Sequence, residues 1–278
     1  MSIPNQPDNI RPDVAFSVRR IGAMVRRYIY LIRSSWPRIV SMFYWPTLQI
    51  LIWGFIQMYL IENSSFFAAA AGVLLGAVLL WDVMFRGQLG FSLSFFEEIW
   101  SRNLGHLLVS PLRMSEFILA LMVMSSLRTL IAVIPAAIIA YLIFDFSIIS
   151  LGFVLAAFLI SLLTFGWAIG LIVAGLALRY GQSAEELAWA LLFALAPIAA
   201  IYYPVAILPD WLEGVAYALP LAHVFEGLRA VIIDGAIRWD HLAWSFGLNA
   251  VYISLGVAAF LFFYEQARER GMLLQLGE

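Results

Sequence analysis

FILALMVMSSLRTLIAVIPAAIIAYLIF, residues 117–144, decides the fold class, because it carries a single charge, Arg128, in its whole length. Coiled as a helix at about 1.5 Å per residue, the run is longer than the roughly 30 Å of hydrocarbon it has to cross. A helix also satisfies every backbone polar group within itself, which lipid demands. Runs of the same kind occupy 39–61, 66–85, 148–178, 187–208 and 242–264, predicting six transmembrane helices in all. The composition agrees: 63% of the 278 residues are hydrophobic and 12% are charged, where a soluble domain carries about a quarter charged residues. Mean hydropathy is +0.92, and little chain remains for a catalytic domain outside the bilayer.

Certain chemistries are excluded at once. All 16 basic residues are arginine, so a phosphate-loop ATPase and a Schiff-base enzyme are both ruled out for want of a lysine. With no cysteine there is no disulfide framework, thiolate nucleophile or sulfur-ligated metal. His106, His223 and His241 are scattered without helical metal spacing, so no metal ligand is assigned. No paired-aspartate or serine-elbow motif occurs, and no nucleic-acid-binding pattern is assigned.

Working outward to the N-terminus, residues 1–12 read as a disordered tail. From Asp13 on, Val14, Val18, Ile21, Val25, Tyr28 and Ile32 recur at helical spacing, with Arg19, Arg20, Arg26, Arg27 and Arg33 on the other face. This predicts a helix lying in the membrane surface, apolar stripe in the acyl boundary and arginines toward anionic lipid headgroups. An ordinary basic flank is the plainer alternative. Residues 1–36 are therefore a cytoplasmic tail and interfacial helix, and 37–278 a six-helix domain. Basic residues crowd the N-terminus, the 86–113 loop, Arg179, and Arg268 with Arg270, whereas 62–65 and 145–147 carry none. The positive-inside rule then puts both termini in the cytoplasm.

Two connections are longer or more broken than a turn requires. Residues 95–113 hold Phe96, Glu97, Glu98, Trp100 and Arg102, then Leu104, His106, Leu107 and Leu108 before Pro111. Ile99, Leu104, Leu107 and Leu108 can share one face, predicting a short amphipathic helix for a partner's groove or for the bilayer surface. Residues 202–220 are apolar and aromatic but divided by Pro204, Pro209 and Pro220, with Tyr203, Trp211, Tyr217 and Glu213 among them; 221–233 then resumes helical spacing and carries Glu226 and Arg229. Such pieces belong at an interface or in a re-entrant dip, with Trp211, Tyr203 and Tyr217 as interfacial anchors.

Taken together, the chain resembles the permease subunits of type-2 ATP-binding-cassette exporters. The likeness rests on 104–112, which is similar to that family's coupling-helix segment, and on 207–211 through Leu219-Pro220 to 226–229, similar to its outer re-entrant segment. The resemblance implies an all-α integral membrane permease of the bacterial inner membrane, moving an amphipathic, lipid-linked, polysaccharide or drug-like substrate outward. It implies a homodimer, or a dimer with a similar permease, and two copies of a separate ATPase subunit that bind the coupling helices and hold ATP and Mg. This chain itself would have no cofactor and no catalytic residue.

Charges within the spans leave alternatives open. Arg128 faces a transport path or a dimer seam, or else forms a structural pair with a carboxylate such as Asp82 or Glu98. Asp82 has Arg86 four residues along its own helix, a structural pairing. Glu185 and Glu186 suit a helix first turn, and Gly166, Gly170 and Ala174 suit close helix packing. An ion-driven secondary transporter using Arg128 and Asp82, or a non-transporting membrane scaffold, is the rival reading.

Overall fold

The computed structural model describes residues 14–63 and 72–270, and every regular element among them is helical. In chain order these are α1 (Val14–Arg33), α2 (Trp36–Asn63), α3 (Val73–Trp100), α4 (Leu104–Val109), α5 (Met114–Phe144), α6 (Phe153–Tyr180), α7 (Ala184–Ile198), α8 (Asp210–Tyr217), α9 (Pro220–Arg229) and α10 (Trp239–Glu269). The tail at 1–12, the loop at 64–65, the start of the second expected span and its alanine run lie outside the described residues.

α3 is the central post. Of its most apolar stretch 83% is buried, against 17% for α2 and for α10. Small residues let the neighbours approach. A Cβ on Gly166 of α6 would lie 2.9 Å from the Gln88 backbone nitrogen and 3.0 Å from the Met84 carbonyl oxygen, and one on Gly170 would meet the Phe91 ring. On the α5 side, Ser125 Oγ donates to the Gly87 carbonyl at 2.6 Å. α10 packs on α6, where Gly256 lies against Ala168 and Asn249 Nδ2 donates to Ser161 Oγ at 2.8 Å. With lipid as apolar as leucine, close packing and interhelical hydrogen bonds of this sort are what hold spans together.

Two expected boundaries change. The second span does not end at 85: α3 runs on to Trp100, so Arg86 and residues 95–100 belong to a membrane-length helix rather than to a loop. An arginine at 86 does not stop the helix because Asp82, one turn back, accepts from its Nε at 2.7 Å. The fifth span does not run from 187 to 208 as one helix. α7 ends at Ile198, about 22 Å from its start, and the chain turns through Ala200 (φ 52°) into a short 3-10 turn at Val205–Ile207. Pro197, Pro204 and Pro209 each remove a backbone donor, and no regular helix survives their spacing.

The apolar stretch Phe153–Ile198 is two helices. Gly181 (φ 61°) ends α6 and opens a 3-10 turn, after which the chain doubles back: Gly166 sits at Met84–Gln88 and Gly170 at Phe91, yet Trp189 again meets Phe85. Among the described residues five stretches are long and apolar enough to span, and six if the α8–α9 pair, bent by 96°, counts as one. That bend has Pro209 before α8 and Pro220 opening α9, where a missing N–H costs nothing.

Candidate functional site: the α3–α4 junction and the cavity beside it

Two adjacent glutamates end α3, and the helix turns them to different neighbours. Glu98 is fully buried. It accepts from Arg27 of α1, from the Tyr28 hydroxyl at 2.7 Å, and from Asn103 Nδ2 at 2.7 Å in the turn before α4. Burial, and then the neighbouring carboxylate, push the Tyr28 hydroxyl far above the ordinary phenol range, so Tyr28 remains a donor. On the far side of α4, Glu116 closes the first turn of α5 by accepting from the Arg113 backbone at 3.0 Å, and also takes Ser17 Oγ at 2.7 Å and Arg20 at 3.2 Å. α1 is thus strapped across both ends of the α4 segment.

Arg20 and Arg27 therefore turn into the protein and not to lipid headgroups. The reason is helical phase: they share a face with Met24 and Tyr28, which are buried. Arg19, Arg26 and Arg33 stay on the exposed side. The α4 face also differs from expectation. Ile99 and Leu104 are buried in this chain's own core and Leu107 packs partly against it, so they are not free anchors for a partner. Phe96 is buried as well, with Trp100 stacked on it at 6.0 Å. What α4 offers outward is His106 and Val109, the latter 87% exposed. Arg102 lies exposed in the turn at φ 52°, and the Leu108 side chain lies outside the described residues.

Glu97, one residue before, faces a cavity of about 810 Å³ between α2, α3, α5 and α7. It holds Arg128 of α5 at 3.1 Å and Arg38 of α2 at 3.4 Å. Arg128 is therefore paired neither with Asp82 nor with Glu98: Asp82 is taken by Arg86 and Glu98 points to α1. Asp82 and Arg86 line the same cavity some ten to fifteen residues up α3 from Glu97, roughly 16–22 Å away. The walls between are aromatic and aliphatic, with Trp45, Trp81, Phe85, Trp100, Trp189, Phe193 and Tyr202 among them. Arg128 and Asp82 thus line one cavity, each paired with a different partner, Glu97 and Arg86.

At the α8–α9 end, Arg229 is the organising residue. It is 8% exposed and donates to the carbonyls of Ala200, Ile201 and Tyr203 as well as to Glu226 at 3.0 Å. These carbonyls are freed where α7 stops, and a cation at a helix C-terminus is well placed to take them. Glu226 in turn accepts from the Val205 backbone at 2.7 Å, and the Tyr203 hydroxyl donates to Pro197. Pro220 is buried, Pro209 caps α8, Glu213 is half-buried and Trp211 is 73% exposed.

Sequence spacing missed two pairings. Arg38 and Glu97 lie far apart in the chain, and nothing local links them. His223 and His241 meet with Nδ1 atoms 3.1 Å apart, while His223 Nε2 lies 2.9 Å from the Tyr217 carbonyl. The ring centroids are 5.3 Å apart, so the rings meet almost head-on at Nδ1, at hydrogen-bond distance, and not as two ligands converging on a metal. Among the described residues no three His, Asp or Glu side chains gather at metal-binding spacing.

A helical membrane bundle with a strapped turn at one end and a broken helix pair at the other matches a known family model, that of the ABC-2 type transporter, over residues 20–233. The chain belongs to the ABC-2 type transporter family. No curated protein matches it. Membership makes it a multi-pass transmembrane component of an ABC-type transporter, a transport component and not itself an enzyme, associated with an ATP-binding-cassette subunit. The matched region runs from α1 through α9 and takes in both the α3–α4 junction and the Arg229 cluster of this ABC-2 chain.

Proposed function

We propose that the chain is the permease of an ATP-driven exporter, and that its cavity is the path of an amphipathic substrate. One observation carries this reading. Glu97 and Glu98 are consecutive residues of one helix end, and the first holds the cavity charges while the second holds α1 and the turn into α4. A push on α4 is thereby delivered to α3, and α3 cannot move without disturbing Arg38 and Arg128. Cytoplasmic ATPase subunits, two per permease pair, would dock on α4 and carry the ATP and Mg. Both termini then lie in the cytoplasm and the α8–α9 pair on the outer side of a bacterial inner membrane, where it forms the re-entrant segment. A homodimer, or a dimer with a similar permease, would complete the path.

The test addresses the exposed side of α4 alone. His106→Glu with Val109→Asp alters no buried residue, so the permease should insert and co-purify as a folded chain. ATP hydrolysis by the co-expressed ATP-binding-cassette subunit should fall to the rate of that subunit without permease. Unchanged coupled hydrolysis would show that α4 is not the handle.

A further inference from the structure

The cavity is one negative charge short. Three guanidinium groups line it, Arg38, Arg86 and Arg128, against two carboxylates, Asp82 and Glu97. Asp82 is taken by Arg86 at 2.7 Å. Glu97 is left facing two cations, Arg128 at 3.1 Å and Arg38 at 3.4 Å, and one carboxylate neutralises only one of them. The Arg128 Nε is in addition buried without a partner. An uncompensated charge beside apolar walls is costly, because a low dielectric lengthens the reach of the field and withholds the water that would screen it. Arg38, half exposed, is the cation a ligand can reach. The walls above Glu97 include Trp45, Leu93, Trp189 and Phe193, a largely apolar lining in which Ser41, Gln49 and Tyr202 are the uncharged polar members.

Resting on the reading of this cavity as the transport path, we propose that its substrate is an anionic amphiphile: an acidic headgroup, phosphate or carboxylate, lies beside Glu97 between Arg38 and Arg128, and an apolar body follows the aromatic wall. A guanidinium fork donates to two headgroup oxygens at once, which suits such oxyanions better than a hydroxyl. A cationic amphiphile meets a net excess of one positive charge in the same space, and a neutral glycan leaves that charge unanswered.

The full chain in phosphatidylcholine nanodiscs should be titrated with three brominated dodecyl probes that quench nearby tryptophan: the phosphate, the trimethylammonium and the maltoside. Saturable quenching is expected for the phosphate, at least about ten-fold tighter than for the other two, a ratio of the size expected for one charge-assisted contact. Arg38→Gln should remove most of that preference and Arg38→Lys should keep part of it, while the maltoside response stays as it was. Equal binding of all three probes, or an Arg38→Gln change shared by all three, overturns the proposal. Inorganic phosphate serves as competitor: displacement at the concentration at which dodecyl phosphate binds would overturn the amphiphilic half, since the wall would then contribute nothing. The titration uses no ATP, so loss of coupled hydrolysis in the α4 variant with the phosphate preference intact would leave this site standing, whereas normal coupling without the preference sinks the substrate class alone.

Discussion

Glu97 and Arg229 show how a single ionic side chain is worth more than its pair in a bilayer. Glu97 serves two arginines, so Glu97→Gln strands both, whereas Arg128→Met leaves Glu97 with Arg38. Glu97→Gln should therefore lower stability by about 1–3 kcal/mol, less than the roughly 3–5 of a fully buried broken pair because Arg38 reaches water, and Arg128→Met by less. Thermal unfolding in one detergent ranks the two variants. Arg229→Met withdraws the donor from three carbonyls at the end of α7 and should cost about 2–4 kcal/mol, with new protease cleavage around residues 199–204. Glu226→Gln keeps an acceptor for the Val205 N–H and should be milder. Arg229 and Glu226 were legible as a spaced pair three apart; the carbonyls that Arg229 also holds were not, because they lie over twenty-five residues earlier in the chain.

Among elements, α3 and α6 illustrate what a small residue does at a helix crossing. A Cβ on Gly166 would strike backbone atoms of α3, and one on Gly170 would come within 2.8–3.1 Å of the Cβ end of the fully buried Phe91, so no simple rotamer change clears either contact. Gly166→Ala and Gly170→Ala should thus each destabilise by about 1–3 kcal/mol, whereas Gly247→Ala in α10, where a Cβ meets nothing, should cost nothing in the same unfolding assay; equal losses at all three would mean that close approach is not what these crossings depend on. α1 was readable as amphipathic, yet its arginines divide between the protein and the exposed side. Period alone assigns charge to a face, but Arg20 and Arg27 sit at the edge of that face, and only the positions of Glu116 and Glu98 decide which way they turn. At the α4 segment, Ile99, Leu104 and Leu107 turn toward the chain's own core, which spacing alone could not show.

For the whole molecule, orientation is open to a clean test, since the chain has no cysteine of its own. Gln182 is exposed in the α6–α7 turn, and a Cβ at Gly214 in α8 meets nothing. With both termini in the cytoplasm, a membrane-impermeant maleimide should label Gly214→Cys in intact cells and Gln182→Cys only after permeabilisation. The reverse pattern would invert the topology and with it the direction of any push on α4.

Hydrophobic run length and charge spacing determined, without coordinates, that this is an all-helical membrane protein with an amphipathic N-terminal helix and two irregular connections. Those features are local: each follows from about twenty neighbouring residues and from what lipid does to an unpaired backbone group. Where α3 ends, where α7 breaks, which carboxylate holds Arg128 and that Arg38 shares it were decided only in three dimensions. A buried charge takes whichever opposite charge the packed helices bring within about 4 Å, and helix packing sets that distance regardless of separation along the chain.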